Sequence, residues 1–415
     1  MPTILIVGGG AAGLMAAVAA AEAGATVTVL ERNDKLGRKL YITGKGRCNC
    51  TNLCTPEAFR QNVVRNPRFL YAALCALPPE ALLTRLAAWG CPTVVERGNR
   101  AFPASQKASD VTRAFEKRMR ELGVRVRLNC RVAGITVSQG SVRGVTLEGG
   151  EALAADAVIV CTGGCTYPAT GSTGDGYAQL AACGHEITPL APALIPLRCG
   201  EAWVGELAGL SLKNVTLSLY HGKKRLYSEL GEMLFTHVGI SGPLVLSASS
   251  YMAGLAPAEC TLTLDLKPGL TAEQLNERIL RDVAAAGKKQ LHTILRGLYP
   301  ERLAAEVARQ CGLNETKPAN ELRREEREAL VRLTKALPLP VTGTEAMAAG
   351  VVTAGGAQVR QFTPATLESK LVSGLYAAGE VLDVDALTGG FNLHIAFATG
   401  YCAGRAAAQP DETGA

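Results

Sequence analysis

The sequence contains few aromatic residues and few charged ones. Aromatic side chains make up 5% of its 415 residues and Asp, Glu, Lys and Arg together 19%, whereas 47% of the residues are hydrophobic and 45 are glycine. This composition excludes a disordered chain and is sufficient for a large buried core. Many glycines with few aromatic residues favour a protein whose backbone lies close against a ligand. The length predicts two or three domains.

A dense basic stripe is also missing. The net charge is +6 and the pI is near 8.6, which is too mildly basic to be typical of a nucleic-acid binder, so we predict a small-molecule substrate and no nucleic-acid partner. The 13 cysteines, spread from Cys48 to Cys402, are odd in number; this is atypical of a secreted disulfide scaffold and predicts a cytoplasmic protein. Nothing in the composition indicates an oligomeric state.

The sequence also lacks the features of a signal peptide or membrane helix and those of a cysteine metal site. The uncharged run at residues 4–21 has no basic region before it and no A-x-A cleavage site after it, so we expect neither a signal peptide nor a membrane helix. Cys48, Cys50 and Cys54 lie close together, but no C-x-x-C pair or nearby histidine completes four ligands. We therefore predict no metal site and interpret these as ordinary thiols, with a redox-active Cys48 as the alternative.

The N-terminal thirty residues have the pattern of a β-α-β unit. A buried strand is predicted at Thr3 to Val7, a helix at Leu14 to Ala23 and a second strand at Ala25 to Leu30. The turn between the first strand and the helix is Gly8-x-Gly10-x-x-Gly13, and Glu31 ends the second strand. Glycines in this pattern permit a tight turn and let a pyrophosphate approach the helix start, while the acid accepts hydrogen bonds from an adenosine ribose. The pattern favours FAD or NAD over NADP.

The rest of the chain is predicted to form a discontinuous dinucleotide domain with an insertion. Helices are expected near 67–76, 79–89, 108–122 and 392–408, and strands at 124–129, 131–138, 142–148, 157–161 and 375–378. Residues 215–220 and 261–266 have the alternating pattern of antiparallel strands, and helical runs follow between 271 and 336. We therefore expect an α/β fold: a Rossmann-type FAD-binding domain at 1–190 and 344–415, and an inserted domain at 191–343, β-rich over 191–268 and helical over 269–343.

A cationic, glycine-rich loop follows Glu31. Six Lys or Arg residues and one acid lie between residues 32 and 47. A solvated charged surface is one interpretation of such a cluster. Its position directly after Glu31 favours the other, in which the cations face the phosphates and the ring of the cofactor.

Four segments together resemble the BaiN-like flavoprotein family, which includes bile-acid dehydro-reductases and aminoacetone oxidases. They are GRKLYITGKGRCNCTN (37–52), CTGGCTYPATGSTGDGY (161–177), GEMLFTHVGISGP (231–243) and VTAGGAQVRQFTPATLESKLVSGLYAAGEVLDVDALTGGFNLHIAFATG (352–400). The resemblance covers essentially the whole chain and implies FAD in a two-part Rossmann-type domain, with the inserted domain covering the flavin. This chain departs from the family at Lys45 and Ala386, where glycine is frequent, and at Phe391, where tyrosine is frequent.

Motif and resemblance together give the following expected FAD-binding residues, in chain order: Gly8, Gly10, Ala12, Gly13, Glu31, Arg32, Arg38, Lys39, Gly46, Arg47, Cys48, Asn49, Val132 (through its backbone, to adenine), Thr162, Gly163, Gly164, Asp175 (also a candidate helix cap), Gly379, Glu380, Asp383, Gly389, Gly390, Phe391, Asn392 and Leu393. Glu380 ends the last buried strand and is expected to accept hydrogen bonds from ribityl hydroxyls. Asp383 and Asp385 are close enough to share or replace that role. The N–H groups at the start of the last helix are expected to face the N1–C2=O edge of the flavin and to stabilise its reduced, anionic form.

The reaction is expected to be the reduction, with NAD(P)H as a transient co-substrate, of a carbon–carbon double bond conjugated to a carbonyl. Hydride would pass from flavin N5 to the β-carbon, and an acid such as Tyr167 or His237 would protonate the α-carbon. No second G-x-G-x-x-G follows a strand, so no dedicated nicotinamide domain is predicted. An amine oxidase that produces peroxide is the alternative, and a flavin-bearing nucleic-acid-binding protein is a more distant one.

Overall fold

The computed structural model describes residues 1–409 and divides into two compact units. Unit 1 comprises Met1–Ala193 together with the chain from Ala346 onward, and unit 2 comprises Leu194–Glu345. The sequence predicted borders after residues 190 and 343; the units divide after Ala193 and Glu345.

The first stretch of unit 1 contains both helices and strands. They are β1 (Thr3–Val7), α1 (Ala11–Glu22), β2 (Thr26–Leu30), β3 (Thr51–Asn52), α2 (Pro56–Gln61), α3 (Tyr71–Ala76), α4 (Pro79–Ala88), β4 (Thr93–Glu96), β5 (Arg100–Pro103), α5 (Ala108–Glu121), β6 (Arg125–Arg127), β7 (Val132–Ser138), β8 (Ser141–Leu147), β9 (Ala152–Ala154), β10 (Ala157–Val160), α6 (Asp175–Ala182) and β11 (Ala191–Ala193).

Unit 2 contains long strands followed by a series of helices, and the chain then returns to unit 1. The elements of unit 2 are β12 (Leu197–Cys199), α7 (Ala202–Glu206), β13 (Ser211–His221), β14 (Lys224–Thr236), β15 (Gly239–Ser241), α8 (Pro243–Met252), β16 (Cys260–Asp265), α9 (Ala272–Ala286), α10 (Leu291–Leu298), α11 (Glu301–Gln310), α12 (Arg324–Lys335), β17 (Leu337–Leu339) and β18 (Val341–Thr344). The returning chain forms β19 (Val352–Ala354), β20 (Leu375–Ala377) and α13 (Phe391–Ala408).

The central sheet of unit 1 has five parallel strands in the order β20-β10-β1-β2-β6. Ile4 on β1 is paired with Ala157 on one side and Val27 on the other. Parallel strands are covered on both faces, which is why β1 and β10 consist almost wholly of buried branched residues. β20 joins the sheet beside β10, so the two ends of the chain form one sheet.

Helices α1 and α13 pack unusually closely because of small residues at their contact. A Cβ added to Gly400 would stand 2.2 Å from the carbonyl oxygen of Ala12, and one added to Gly404 would stand 2.3 Å from that of Ala16. The contacts advance by four residues in the same direction on both helices, so the two helices run parallel. Any side chain larger than hydrogen at Gly400 or Gly404 would push them apart.

Three small sheets complete unit 1: β3-β5-β4, β7-β8-β9 and the pair β11-β19. Unit 2 is built on a seven-stranded sheet in the order β17-β16-β13-β14-β15-β12-β18, whose strand pairs are all antiparallel. One face of that sheet buries Leu217, Leu219 and Phe235 in the core of unit 2. Within residues 1–409, every helix is too short or too polar to cross a membrane.

Candidate dinucleotide site

The carboxyl ends of four neighbouring strands meet at one edge of the central sheet. The segments that leave this edge are the glycine turn after β1, Glu31 after β2, the Thr162–Gly164 turn after β10 and Gly379-Glu380 after β20. In open parallel sheets this edge is where nucleotide ligands bind. The residues predicted from three distant parts of the sequence therefore lie on the same edge.

The start of α1 is arranged to receive an anionic group. Gly10 is its N-cap and its first turn contains no acidic residue. No described side chain caps the exposed N–H groups, and a Cβ placed on Gly10 would meet no atom of residues 1–409 within 4 Å. By contrast, a Cβ on Gly13 would stand 1.9 Å from the carbonyl oxygen of Gly8. Gly10 therefore keeps the approach to the helix open, and Gly13 allows the turn to pack tightly against the helix.

Glu31 holds the glycine turn against the loop that follows β2. Its side chain is buried, with Oε2 accepting a hydrogen bond from the backbone of Gly9 at 2.7 Å. Oε1 accepts from the backbone N–H of Asn33 at 2.8 Å and from its side-chain Nδ2 at 2.7 Å. A carboxylate has about four acceptor positions, so one remains for a further donor, and the predicted contact with a ribose stays a prediction. The sequence did not single out Asn33, because an asparagine in a polar loop has no distinguishing pattern.

A cleft of about 410 Å³ lies beside Arg32 at the ends of β2 and β6. Arg32 and Arg131, which both line it, form ion pairs with Asp175 at 2.9 and 3.0 Å. Although burial acts in the opposite direction, hydrogen bonds from Arg131 and Thr173 and the charge of Arg32 lower the pKa of Asp175. The interpretation of Asp175 as a helix cap was wrong: the N-cap of α6 is Gly174, and Asp175 ties two arginines together instead.

Val132 lies at the start of β7, next to that cleft. Its carbonyl oxygen accepts a hydrogen bond from Gln179 Nε2 at 2.8 Å. This bond fixes the strand against α6. The predicted contact of the Val132 backbone with adenine stays a prediction.

Lys39 and Glu380 form the centre of a polar cluster between the loop after β2 and the end of β20. Lys39 Nζ lies 2.8 Å from Glu380 Oε2 and donates to Thr166 Oγ1 at 2.9 Å. The backbone N–H of Thr353 donates to Glu380 Oε1 at 2.9 Å. A Cβ on Gly164 would stand 2.5 Å from Glu380 Oε1, so the turn after β10 lies against the same carboxylate. Thr166 and Thr353 are members that sequence reasoning missed.

The other predicted cations of the loop have partners within unit 1. Arg47 donates to Glu96 Oε1 at 2.9 Å and to Gln106 Oε1 at 2.7 Å, and its guanidinium lies 4.0 Å from the centre of the Phe102 ring. Arg38 donates to Asn33 Oδ1 at 3.1 Å. These contacts shape the loop, and direct contact of either arginine with a cofactor stays a prediction.

Cys48 and Cys50 are fully buried below this loop, with their sulfur atoms 3.9 Å apart. The hydrogen bond with Cys48, burial and the nearby Cys91 all raise the pKa of Cys50. A thiol with a raised pKa is a poor nucleophile at neutral pH, which favours an ordinary thiol at Cys50; a redox role of Cys48 stays a prediction. No group of three or more candidate metal ligands occurs among residues 1–409.

The last loop before α13 is fastened to the segment that follows α2. Val64 N donates to the carbonyl oxygen of Asp385 at 2.8 Å, and Arg65 Nε lies 3.3 Å from Asp385 Oδ1. The Asp385 side chain is fully buried, and neither carboxylate oxygen accepts a hydrogen bond from the described part of the chain. Burial raises the pKa of Asp385 to about 7, against the opposing charge of Arg65 and with smaller contributions from Asp383 and Glu380.

The N-terminus of α13 closes the site. Gly389 and Gly390 both have positive φ, and Gly390 is the N-cap. The side chain of Asn392 is used internally, since its Oδ1 accepts from Ala386 N at 2.9 Å and its Nδ2 donates to Ala386 O at 2.7 Å. Phe391 is buried edge-on against Phe59, with ring centres 4.9 Å apart. Asn392 and Phe391 therefore fix the loop and the first turn of the helix. Leu393 is packed against the same core.

The two candidate proton donors lie in different units. Tyr167 in unit 1 has a left-handed backbone with φ 53°, and its carbonyl oxygen accepts from Thr170 N at 2.8 Å. A bulky residue rarely adopts this conformation, and such strain is concentrated at functional sites. His237 is exposed in the turn between β14 and β15 of unit 2. Both assignments stay predictions.

Known proteins resemble this chain over nearly its whole length. The family model described as HI0933-like protein Rossmann domain matches residues 2–406. A 3-dehydro-bile acid delta(4,6)-reductase of Clostridium scindens is 33% identical over 99% of this chain and 100% of its own. A ribosomal RNA dihydrouridine synthase of Haemophilus influenzae is 32% identical over 96% of each chain.

Among solved structures, a 3-ketosteroid delta1-dehydrogenase from Sterolibacterium denitrificans, in complex with 1,4-androstadiene-3,17-dione, superposes with a TM-score of 0.53 over 98% of this chain and 100% of its own. At 14% sequence identity, this similarity concerns the fold.

Proposed function

The chain belongs to the HI0933-like Rossmann-domain family, and from that premise we propose that it is an FAD-dependent reductase that saturates a carbon–carbon double bond conjugated to a carbonyl. The bound flavin would supply the hydride, through N5, and NAD(P)H would be the transient reductant. FAD would be held by unit 1, with the phosphates at α1 and the ring at α13.

The parallel packing of α1 and α13 is the observation that carries the cofactor proposal. Ala12 lies one residue inside α1 and contacts Gly400, which is nine residues after Phe391, the first residue of α13. The two helices are parallel, so their N-termini lie at the same end of the pair. At about 1.5 Å of rise per residue, the N-terminus of α13 extends roughly 12 Å past the N-terminus of α1. Two helix N-termini so offset suit a ligand with a diphosphate at one end and an electron-rich ring at the other.

The residues of the site fit FAD in two further respects. Glu31 retains an acceptor position at the ribose end, and Lys39, Thr166 and Glu380 place polar groups between the two helix starts, where a ribityl chain would pass. The N–H groups of the first turn of α13 would stabilise negative charge that develops on the ring, because they are fixed donors that need no reorganisation.

The names of the two relatives support the reaction class. A delta(4,6)-reductase acting on a 3-dehydro-bile acid reduces double bonds conjugated to a ketone, and dihydrouridine is uridine whose ring double bond, conjugated to a carbonyl, has been saturated. The two substrates share this conjugated unit and little else. The task of the protein would be the same in both cases: to orient the β-carbon toward the hydride donor and to supply a proton to the α-carbon.

Tyr167 is our first choice as the proton donor and His237 our second. Tyr167 follows the Thr162–Gly164 turn at the strand edge that holds Glu380, and its left-handed backbone indicates that its orientation is enforced at a cost of about 1–2 kcal/mol. His237 is carried by a family motif on the exposed β14–β15 turn of unit 2.

One anaerobic experiment tests the proposal. The purified holoprotein is mixed with NADH or NADPH, and separately with aminoacetone. Bleaching of the oxidised flavin band by a nicotinamide, followed by reoxidation on adding a conjugated 3-oxo steroid, supports the reductase. Bleaching by aminoacetone, with peroxide formed on re-aeration, would instead establish the amine oxidase. A correctly folded protein that takes up no flavin would refute both.

A second candidate substrate, a uracil base in ribosomal RNA, is favoured by the Haemophilus relative. The reduced holoprotein is incubated with an rRNA transcript or with the 3-oxo steroid, and reoxidation of the flavin is followed in parallel with the mass of the products. A gain of two hydrogens in a uridine of the RNA, with no turnover of the steroid, would replace the small-molecule substrate and our prediction of no nucleic-acid partner.

A further inference from the structure

Lys45 carries a long side chain at a backbone position that suits glycine. Its φ is 59° and its ψ 43°, in the left-handed region, and its neighbours Gly44 and Gly46 also have positive φ. Glycine adopts this conformation freely, whereas a residue with a side chain is strained there. Such strain is concentrated at functional sites. A lysine at this position therefore calls for a role that glycine could not fill.

Lys45 is also the cation of its loop whose charge is not used by the described chain. Six Lys or Arg residues lie between residues 32 and 47, and five of them have partners. Arg32 pairs with Asp175, Lys35 lies over the ring of Tyr41, Arg38 donates to Asn33, Lys39 pairs with Glu380 and Arg47 pairs with Glu96. The Lys45 side chain is exposed and forms no hydrogen bond or ion pair with residues 1–409. Its charge is therefore accessible and available to a ligand.

The backbone around Lys45 is held in place. The N–H of Cys48 donates to the carbonyl oxygen of Thr43 at 3.0 Å and so closes the turn that contains Lys45. Directly after the turn, the Arg47 guanidinium lies 4.0 Å from the centre of the Phe102 ring. The ammonium group of Lys45 is thus presented from a fixed backbone.

This turn lies beside the start of α13. A Cβ added to Gly44 would stand 3.0 Å from the backbone nitrogen of Asn49, and one added to Gly390, the N-cap of α13, would stand 2.9 Å from Asn49 Oδ1. The residue before Lys45 and the first residue of the helix start therefore approach the same asparagine. In the proposed function the flavin ring lies at this helix start, so Lys45 stands near the edge where a substrate would meet the ring.

The same loop exposes an apolar side chain. Ile42, three residues before Lys45, is 44% exposed. A cation with an exposed apolar group near it in the chain suits an organic anion that has a hydrocarbon body, because the charge can pair with a carboxylate while the apolar group contacts the rings. A conjugated ketone that carries a carboxylate has this chemistry.

We propose that Lys45 selects negatively charged substrates, forming an ion pair with a carboxylate on the conjugated ketone and so orienting the substrate at the flavin ring. This inference rests on the proposed function and deepens it, because it names the substrate class as an amphipathic acid. Lys45 would act in binding and would take no part in the transfer of hydride or proton.

The test compares 3-oxochol-4-enoic acid with its methyl ester, which lacks the charge. Each is titrated calorimetrically into the oxidised holoprotein, where no reduction takes place, and the dissociation constant of the ester is divided by that of the acid. In Lys45→Gln and Lys45→Gly we expect this ratio to fall about three- to fivefold, the size of one exposed ion pair. Lys45→Arg keeps the ratio. In the unaltered protein the ratio should fall by a similar factor in about 1 M salt, which screens exposed charges.

Two variants control for the fold and for net charge. Lys45→Gly should retain its flavin, because glycine adopts the same backbone conformation without strain. Lys223→Gln removes one exposed lysine from unit 2, a change of net charge equal to that in Lys45→Gln, and should leave the ratio unaltered.

An unchanged ratio in Lys45→Gln would overturn the inference, as would an equal fall in Lys223→Gln, since the effect would then be one of overall charge. In both of these cases the steroids still bind, so the proposed function stands. If neither compound binds to the folded, yellow protein, the proposed substrate class has failed, and the inference fails with it.

Discussion

Lys39 and Glu380, which are far apart in the sequence, form an ion pair of 2.8 Å. The pair links the loop after β2 to the end of β20, and both side chains are about four-fifths buried, at 23% and 19% exposure. Because Glu380 also receives the N–H of Thr353, its charge organises the middle of the candidate site.

Glu380→Gln is expected to weaken FAD binding roughly ten- to hundredfold. The amide cannot accept from Lys39 and Thr353 as the carboxylate does, and hydrogen bonds that involve a charged group are worth about 1.5–3 kcal/mol. The measurement is a fluorescence titration of apoprotein with FAD. The control is Glu326→Gln in unit 2, where a comparably buried Lys317–Glu326 pair holds α12. That change should lower the free energy of unfolding and leave the FAD dissociation constant unaltered; equal FAD affinity in both variants would contradict our placement of the cofactor.

Gly400→Ala is expected to destabilise unit 1 by about 2–4 kcal/mol and to release FAD. The added methyl would stand 2.2 Å from the carbonyl oxygen of Ala12, and backbone cannot yield as a side chain can, so α1 and α13 must separate. Urea unfolding and flavin retention on gel filtration measure the two effects.

Gly297→Ala supplies the comparison for that prediction. Gly297 lies in α10, and a Cβ there would meet no atom of the described residues within 4 Å. The same substitution should therefore stabilise unit 2 by up to about 1 kcal/mol, because alanine favours the helix. A stable, yellow Gly400→Ala protein would show that the close helix contact is not required.

Asp385 is expected to make stability depend on pH near neutrality. Its pKa is raised by burial to about 7, whereas in the unfolded chain an aspartate titrates near 3.9. The folded state therefore binds the proton more tightly, and the resulting stabilisation is complete below about pH 4 and lost as the pH rises to about 7. At about 1.4 kcal/mol per unit the loss is at most about 4 kcal/mol.

Urea unfolding of the unaltered protein and of Asp385→Asn across that range measures this loss. The asparagine variant has no proton to lose at this position. The free energy of unfolding of the unaltered protein should therefore fall, relative to that of the variant, as the pH rises through this range. Parallel pH profiles would mean that Asp385 is ionised throughout.

Tyr167→Phe is expected to separate the two half-reactions. Reduction of the flavin by NAD(P)H needs no proton at the substrate α-carbon, so its rate should be unchanged. Reoxidation by the conjugated substrate should slow by about 10²- to 10⁴-fold, the usual contribution of a general acid. Stopped-flow spectra of the flavin measure both rates. His237→Gln is the paired variant: if it alone slows reoxidation, the proton donor is His237.

The sequence by itself determined the β-α-β unit, the glycine turn and the buried strands. Short runs of branched residues such as those of β1 and β10 favour a buried parallel strand, and Gly8-x-Gly10-x-x-Gly13, placed between a strand and a helix, favours a tight turn. The motifs around residues 37–52 and 352–400 also identified the segments that meet at the strand edge. These signals are local in the chain, which is why they can be recognised without coordinates.

Only the tertiary structure decided how those segments are used. The partners of Asp175, the pairing of Lys39 with Glu380 and the contact of Arg65 with Asp385 depend on residues that are distant in sequence, and no spacing rule specifies them. The offset between α1 and α13 likewise depends on which glycine of α13 meets Ala12. Sequence patterns fix what a segment prefers by itself, whereas hydrogen bonds and burial between segments are settled when the chain packs.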